Sequence, residues 1–224
     1  MYKRLSVLVL LSILVNQIQA YNITIKIKGA PNTKFFIGYY YGDKQYIKDS
    51  IVTDATGKMV FKGKEKLQGG IYLIASNDKA LLFDFVVTEQ EFQLETDTTD
   101  YNANMKVKGS VENTAFFDYT NFTTKIAKEI GPYEKAFKKA KENKDTAALS
   151  AARNKVIEIE QKLNDYRENV TKTNPGLLIS KVFRMMKDIP QPDAPILPNG
   201  RQDSLYTYNY YRYHYFDYFD FSDD

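Results

Sequence analysis

From Tyr21 to about Gly109, apolar residues recur at every second position and turn residues interrupt them often. Asn22-Ile-Thr-Ile-Lys-Ile-Lys28 alternates strictly, which puts Ile23, Ile25 and Ile27 on one face of a strand. Gly29-Ala-Pro-Asn32 reads as a turn. Lys34 to Tyr41 is rich in strand-favouring aromatics, and Gly42-Asp43 folds it into a hairpin with Gln45 to Thr53. Asp54-Ala-Thr-Gly57 is another tight turn before Lys58 to Lys62. Ile71 to Ala75, introduced by Gly69-Gly70, and Leu81 to Val87 follow, with shorter strands at Phe92–Leu94 and Met105–Val107. About eight short strands at this spacing predict an antiparallel sandwich or a partly open barrel over 21–109.

After Gly109 the period becomes that of a helix. Ser110 is placed to cap the first turn, and Phe116, Tyr119, Thr123, Ile126, Ile130, Tyr133 and Phe137 recur at three- and four-residue steps. Gly131-Pro132 inside this stripe predicts a kink or a split. Asp145 opens a second helix whose apolar seam runs through Leu149, Ala152, Val156, Ile159, Leu163, Tyr166 and Val170. The short connection near Asn143 and Lys144 predicts that the two pair as an antiparallel hairpin. Asn174-Pro-Gly176 ends the second helix and precedes a third over Leu177 to Met186, completing a helical domain at 110–188. The fold class expected is therefore α+β with segregated domains: a β-sandwich or open barrel, then a helical hairpin or bundle.

A proline-rich stretch at 189–202 reads as a stiff, extended linker. Beyond it, 203–224 is expected to form an aromatic C-terminal helix capped by Asp203. Residues 206–221 hold ten Tyr or Phe, and Leu205, Tyr208, Tyr211, Tyr215 and Phe219 fall on one helical face. Tyr208, Tyr211, Tyr215, Phe216 and Phe219 are the candidate interaction surface, since aromatic rings combine large contact area with a polar edge. The same spacing fits a core helix whose covering element is missing from this sequence, and both readings stand at this point.

The start of the chain changes how its charge is read. A basic Met1-Tyr-Lys-Arg4, an apolar run from Leu5 to Val15 and a polar stretch ending on Ala20 form the pattern of a secretory signal peptide over 1–20. Its 11-residue apolar run is well short of the ~20 residues of a membrane-spanning helix. Cleavage after Ala20 removes Lys3 and Arg4 and takes the formal charge from +3 to +1. A near-neutral, exported chain, soluble in a periplasm or cell envelope, gives no electrostatic reason to expect nucleic-acid binding. No transmembrane segment is expected in the mature chain.

The composition also removes several chemistries. There is no cysteine, which excludes thiol catalysis, disulfides, Cys-based zinc sites and iron–sulfur clusters from these residues. The single histidine, His214, has Asp217 one helical turn away, a pair better read as structural than catalytic. Seven lysines at 125–144, interspersed with Glu129, Glu134 and Glu142, read as a solvated helix face. The carboxylates Asp84, Glu89, Glu91 and Glu95 are considered as a glycosidase pair, but nothing in the sequence sets any two at a working separation, and Asp84 reads as a strand surface position. Asp49-Ser-Ile51, Asp145-Thr-Ala147 and Asp203-Ser-Leu205 fit an Asp-Ser/Thr-aliphatic O-glycan acceptor pattern, with helix caps and a strand residue as competing roles. No catalytic residue, metal ligand or cofactor is expected.

Asp49-Ser-Ile51, Gly57-Lys-Met-Val-Phe-Lys-Gly63 and Val107-Lys-Gly-Ser-Val-Glu-Asn113 together resemble the N-terminal domain of unknown function that precedes thioredoxin-like domains in Bacteroidetes-type envelope proteins. Asn174-Pro-Gly176 and Tyr213 to Phe221 resemble the helical domain that follows it there. The resemblance implies that the next element is a thioredoxin- or peroxiredoxin-like domain, which is absent here, so that the chain is a truncated form or a short variant. It implies a non-catalytic accessory role, in partner docking or in positioning a redox domain. The partners expected are a protein, the missing thioredoxin-like domain, or a second copy through 204–224. The alternative is a free-standing envelope module that binds glycan or peptide through its aromatic segment.

Overall fold

The computed structural model of the chain describes residues 19–220. The leader expected at 1–20 lies outside them except for its last two residues, as do the last four positions of the aromatic segment. Eight strands come first: β1 (Tyr21–Lys28), β2 (Lys34–Tyr41), β3 (Lys44–Val52), β4 (Lys58–Gly63), β5 (Gly70–Ala75), β6 (Leu81–Val87), β7 (Glu91–Asp97) and β8 (Lys106–Lys108). Four helices follow: α1 (Val111–Glu142), α2 (Thr146–Thr173), α3 (Leu178–Met185) and α4 (Tyr206–His214). The class is α+β, with the strands and the helices in separate stretches of chain.

The strands form two four-stranded sheets, ordered β4-β1-β7-β8 and β3-β2-β5-β6, which do not close into a barrel. Alternation in β1 buries Ile23, Ile25 and Ile27 completely, against a core that includes Phe35, Ile37, Phe61, Ile74, Phe85, Phe92 and Leu94. Each such side chain contributes ~1.5–3 kcal/mol by leaving water. One pair departs from the antiparallel expectation: β1 runs parallel to β7, with Ile25 opposite Leu94. A period of two is the same for either direction, so the hydrophobic pattern carries no information on it. Edge strand β3 is exposed along nearly its whole length and carries Lys44 and Lys48, charges that discourage further strand pairing.

The junction between strands and helices is built from consecutive residues. Gly109 adopts φ +85°, a left-handed turn open to glycine, and Ser110 then caps α1 by accepting the Asn113 N–H at 2.9 Å. Asn113, fully buried, pairs with both main-chain groups of Val86 on edge strand β6, accepting its N–H at 2.8 Å and donating to its carbonyl at 2.7 Å. Phe117, one turn on, completes the sandwich core. Glu112, 2% exposed, accepts the Leu178 and Ile179 N–H groups, each at 2.9 Å, and so holds the N-terminus of α3 against the base of α1.

α1 and α2 form the expected antiparallel hairpin, turning at Asn143 to Asp145, where Asp145 caps α2 through the Ala148 N–H. At 32 residues α1 is about 48 Å long. Of the kink or split expected at Gly131 and Pro132, the split does not occur: one helix runs through both. A proline inside a helix costs ~3 kcal/mol, and the seam buried on either side of it, at Ile126 and Ala140 of α1 with Ala152 and Ile159 of α2, offsets that cost. Phe122 stacks on Tyr166 with centroids 4.3 Å apart, and Phe183 of α3 meets Tyr119 edge-on at 4.5 Å. Among the described residues no helix is long and apolar enough to cross a membrane.

Candidate functional site

The proline-rich stretch is not simply extended. Ile196 and Gln202 form an isolated β-bridge around a turn at Pro198 to Gly200, and the Asp203 N–H donates to the Pro195 carbonyl at 3.0 Å. Asp203 does not cap α4, which has Leu205 at its N-cap with no side-chain bond. Its carboxylate instead accepts the Leu205 N–H at 2.9 Å and closes the turn before the helix.

The single aromatic helix expected over 203–224 is shorter among the described residues. α4 ends at His214, and tight turns follow, with the Asp217 N–H on the His214 carbonyl and the Phe219 N–H on the Phe216 carbonyl. Alternate ring positions still meet. Tyr206, Tyr210 and His214 form one ladder, the last pair stacked at 4.1 Å. Tyr211, Tyr215, Phe216 and Phe219 form a second cluster: Tyr215 packs on Phe216 edge-on at 4.8 Å and stacks on Phe219 at 5.9 Å. Tyr208 lies outside both groups. No residue of α4 is buried, and among the described residues α4 packs on no other helix or strand. Tyr208 is 63% exposed, Phe216 54%, and Tyr211 and Tyr215 44% each, while Phe219 is half-buried. The candidate interaction surface is thus split between a helix and the turn after it.

His214 and Asp217 do meet, Nδ1 to Oδ2 at 2.6 Å, on the open surface. His214 also stacks on the face of Tyr210, so the pair braces the turn.

The four carboxylates have separate roles. Asp84 is half-buried, not a surface position, and accepts the Tyr40 hydroxyl at 3.1 Å; burial raises its pKa and that bond opposes the rise. Glu89 accepts the Ser110 hydroxyl at 2.8 Å and the Val111 N–H at 3.0 Å, anchoring the start of α1. Burial pushes its carboxyl up, yet the hydrogen bonds from Ser110, Thr88 and the main chain outweigh this and hold it below the usual range. Glu95 sits 2.7 Å from the Lys28 ammonium, whose hydrogen bond, with help from Lys26, lowers its pKa. Glu91 begins β7 and is exposed. Among the described residues no group of three or more His, Asp or Glu is placed to hold a metal ion.

Two surface hollows stand apart from the aromatic segment, the first along the seam that the helical pattern predicts. An apolar groove of about 560 Å³ runs along the outer hairpin between Phe137 and Leu149, Val156 and Ile157. A second, of about 460 Å³, opens where β3 approaches the segment after β4 and is lined by tyrosines and lysines. Its residues come from five strands and a loop, so no local spacing announces it.

Residues 21–116 match the family described as Domain of unknown function (DUF4369), a span from the start of β1 into the first turns of α1. The chain has no match among curated proteins. Among solved structures, 5-hydroxyisourate hydrolase from Klebsiella pneumoniae is similar over 40% of this chain and 99% of its own, at 17% identity and a TM-score of 0.28. That likeness is too low to bear on fold or activity.

Proposed function

We propose that this chain is a non-catalytic docking module of an exported, thioredoxin-related protein, and that the aromatic segment from Leu205 to Phe219 is its contact surface. The observation that carries the reading is an aromatic helix, α4, with no buried residue and no packing on another helix or strand among the described residues, set beyond a well-buried frame. Exposed tyrosines and phenylalanines in one short segment are the composition of protein interfaces, where stiff rings add contact area at little entropic cost. A protein surface suits this segment better than a sugar. Two ring pairs, Tyr210–His214 and Tyr215–Phe219, already stack on each other, and the segment offers edges and hydroxyls more than open faces. The redox context rests on the resemblance of both halves to thioredoxin-associated envelope proteins, and since these 224 residues hold no cysteine, any thiol step falls outside them.

The test is an amide-resolved NMR titration of the labelled chain with a purified two-cysteine thioredoxin domain, and separately with a panel of neutral glycans. Shifts confined to 205–219 with the thioredoxin domain, abolished in a Tyr208→Ser, Tyr211→Ser, Tyr215→Ser variant, support the docking role. Shifts there with glycans alone reassign the segment to sugar binding. Silence at 205–219 with both sinks the proposal.

A further inference from the structure

We propose that the hollow beside β3 is a binding site for a small acidic sugar, a carboxylate-bearing pyranose of one to three units. The inference is independent of the aromatic segment. The hollow lies at the open corner of the sandwich, walled by Tyr21 of β1, Tyr39 of β2, Lys48 of β3, Tyr72 of β5 and the segment Lys64 to Gln68. Its volume of about 460 Å³ falls within the ~300–1,000 Å³ of small-molecule sites.

The site is held in shape by its surroundings. Gly63 lets the Tyr21 ring lie against the end of β4, since a Cβ there would come within 2.5 Å of that ring, and Phe61 packs on the same ring with centroids 4.8 Å apart. Gln90 fixes the rim by accepting the Leu67 N–H at 2.8 Å and donating to the Leu67 carbonyl at 3.3 Å, while Leu67 itself is buried. Tyr72 donates to the Gln68 carbonyl at 3.0 Å. Tyr39 and Tyr72 lie 6.1 Å apart between centroids. The hydroxyls of Tyr21 and Tyr39 have no hydrogen-bond partner among the described residues, and neither Lys48, Lys64 nor Lys66 has an ion-pair partner among them.

The ligand chemistry follows from what the walls offer. Three ammonium groups favour an anion. Two unbonded phenol hydroxyls and the Gln68 amide favour a ligand rich in hydroxyls, while Tyr72, buried, and Tyr39, stacked on Tyr46, serve as a firm wall rather than as open ring faces. Glu65 in the rim and Asp49, close enough to raise the pKa of Tyr21 after burial has done so, make the corner unfavourable for a polyanion such as a nucleotide triphosphate. One carboxylate per ring among several hydroxyls satisfies all of these.

Isothermal titration of the full chain at low ionic strength tests the site, with a galacturonate trisaccharide, the neutral galactose trisaccharide and sodium sulfate as separate titrants. The acidic trisaccharide is expected to bind, at least tenfold more tightly than either control, and more weakly as salt rises. Lys64→Ser with Lys66→Ser removes exposed charges and should weaken binding at least tenfold. Tyr39→Phe, which keeps the ring, should weaken it several-fold with an unchanged melting temperature. The Tyr208→Ser, Tyr211→Ser, Tyr215→Ser variant should bind the sugar as the parent does, which separates this site from the docking surface. Equal binding of sulfate or of the neutral sugar, no heat with the acidic one, or loss of binding in the α4 variant overturns the proposal.

Discussion

Replacing Asn113 by leucine removes the joint between the helices and the sandwich while nearly keeping the side chain's shape. The wild-type amide occupies both main-chain groups of Val86, at 2.8 and 2.7 Å, in a place closed to water: Asn113 is 0% exposed and Val86 2%. Leucine leaves a buried N–H and a buried carbonyl without partners, each costing ~1–3 kcal/mol. The expected loss is about 4 kcal/mol, which at this chain length lowers the melting temperature by ~8–16 °C. Urea unfolding followed by far-ultraviolet circular dichroism measures it, with an unchanged slope showing that the unfolded state is unaltered. Asn113→Asp sharpens the assignment. It keeps the oxygen that accepts from Val86 but sets a second oxygen against the Val86 carbonyl, so the folded state favours the protonated acid and raises its pKa. Stability of that variant should be greatest below the unfolded carboxylate pKa of ~4 and fall as pH rises through the raised folded value. An Asn113→Leu variant that loses under ~1 kcal/mol would show that the Val86 groups find other partners and that Asn113 is not the joint.

Three other outcomes are expected. Glu112→Gln puts an amide N–H2 against one of the two α3 N–H groups and removes the negative charge at that helix start, a loss of ~1–3 kcal/mol; hydrogen exchange at Leu178 and Ile179 should accelerate more than in β1, and equal protection would refute the clamp. Gly131→Ala fills open space inside α1 and should stabilise by ~0.5–1 kcal/mol in the same urea assay, with any loss counting against a regular helix there. The Asp97 carboxyl is held at about 2 by the hydrogen bonds of the Thr99 hydroxyl and N–H, helped by Asn104. Its contribution is therefore present above the unfolded pKa near ~4 and fades as pH falls toward 2; carboxyl NMR should place its midpoint there, and Asp97→Asn should remove this part of the acid response.

Much of the frame was readable in the sequence because it rests on local periodicity. Ile23, Ile25 and Ile27 alternate and are all buried, and Ser110 and Asp145 sit where a cap is needed and do cap. What escaped is non-local. Nothing in the order of residues distinguishes a parallel β1–β7 pair from an antiparallel one. Pro132 signals a break by its missing N–H, but the long seam on both sides of it decides the outcome. Phe219 shares a helical stripe with Tyr208 on paper, yet the chain leaves the helix at His214, and the turn gathers Phe216 and Phe219 with Tyr215. In sequence Glu89 reads only as a candidate glycosidase carboxylate and Glu112 has no role, yet each binds the N-terminus of a helix, with partners 22 and 67 positions away.

The string Gly109-Ser-Val-Glu-Asn113 carries the strongest argument about how the helices are set on the sandwich. Gly109 makes the turn out of β8, Ser110 caps α1, Glu112 seats α3 and Asn113 grips β6. Three buried polar side chains in four positions are costly unless all are satisfied, and no buried side-chain nitrogen or oxygen among the described residues lacks a partner. Such a joint fixes how the helices leave the sandwich. The buried polar groups of this string are all spent on holding elements together. The orientation the joint fixes is that of α1 on β6 and of α3 on α1, and α4, which packs on no other helix or strand among the described residues, takes no part in it.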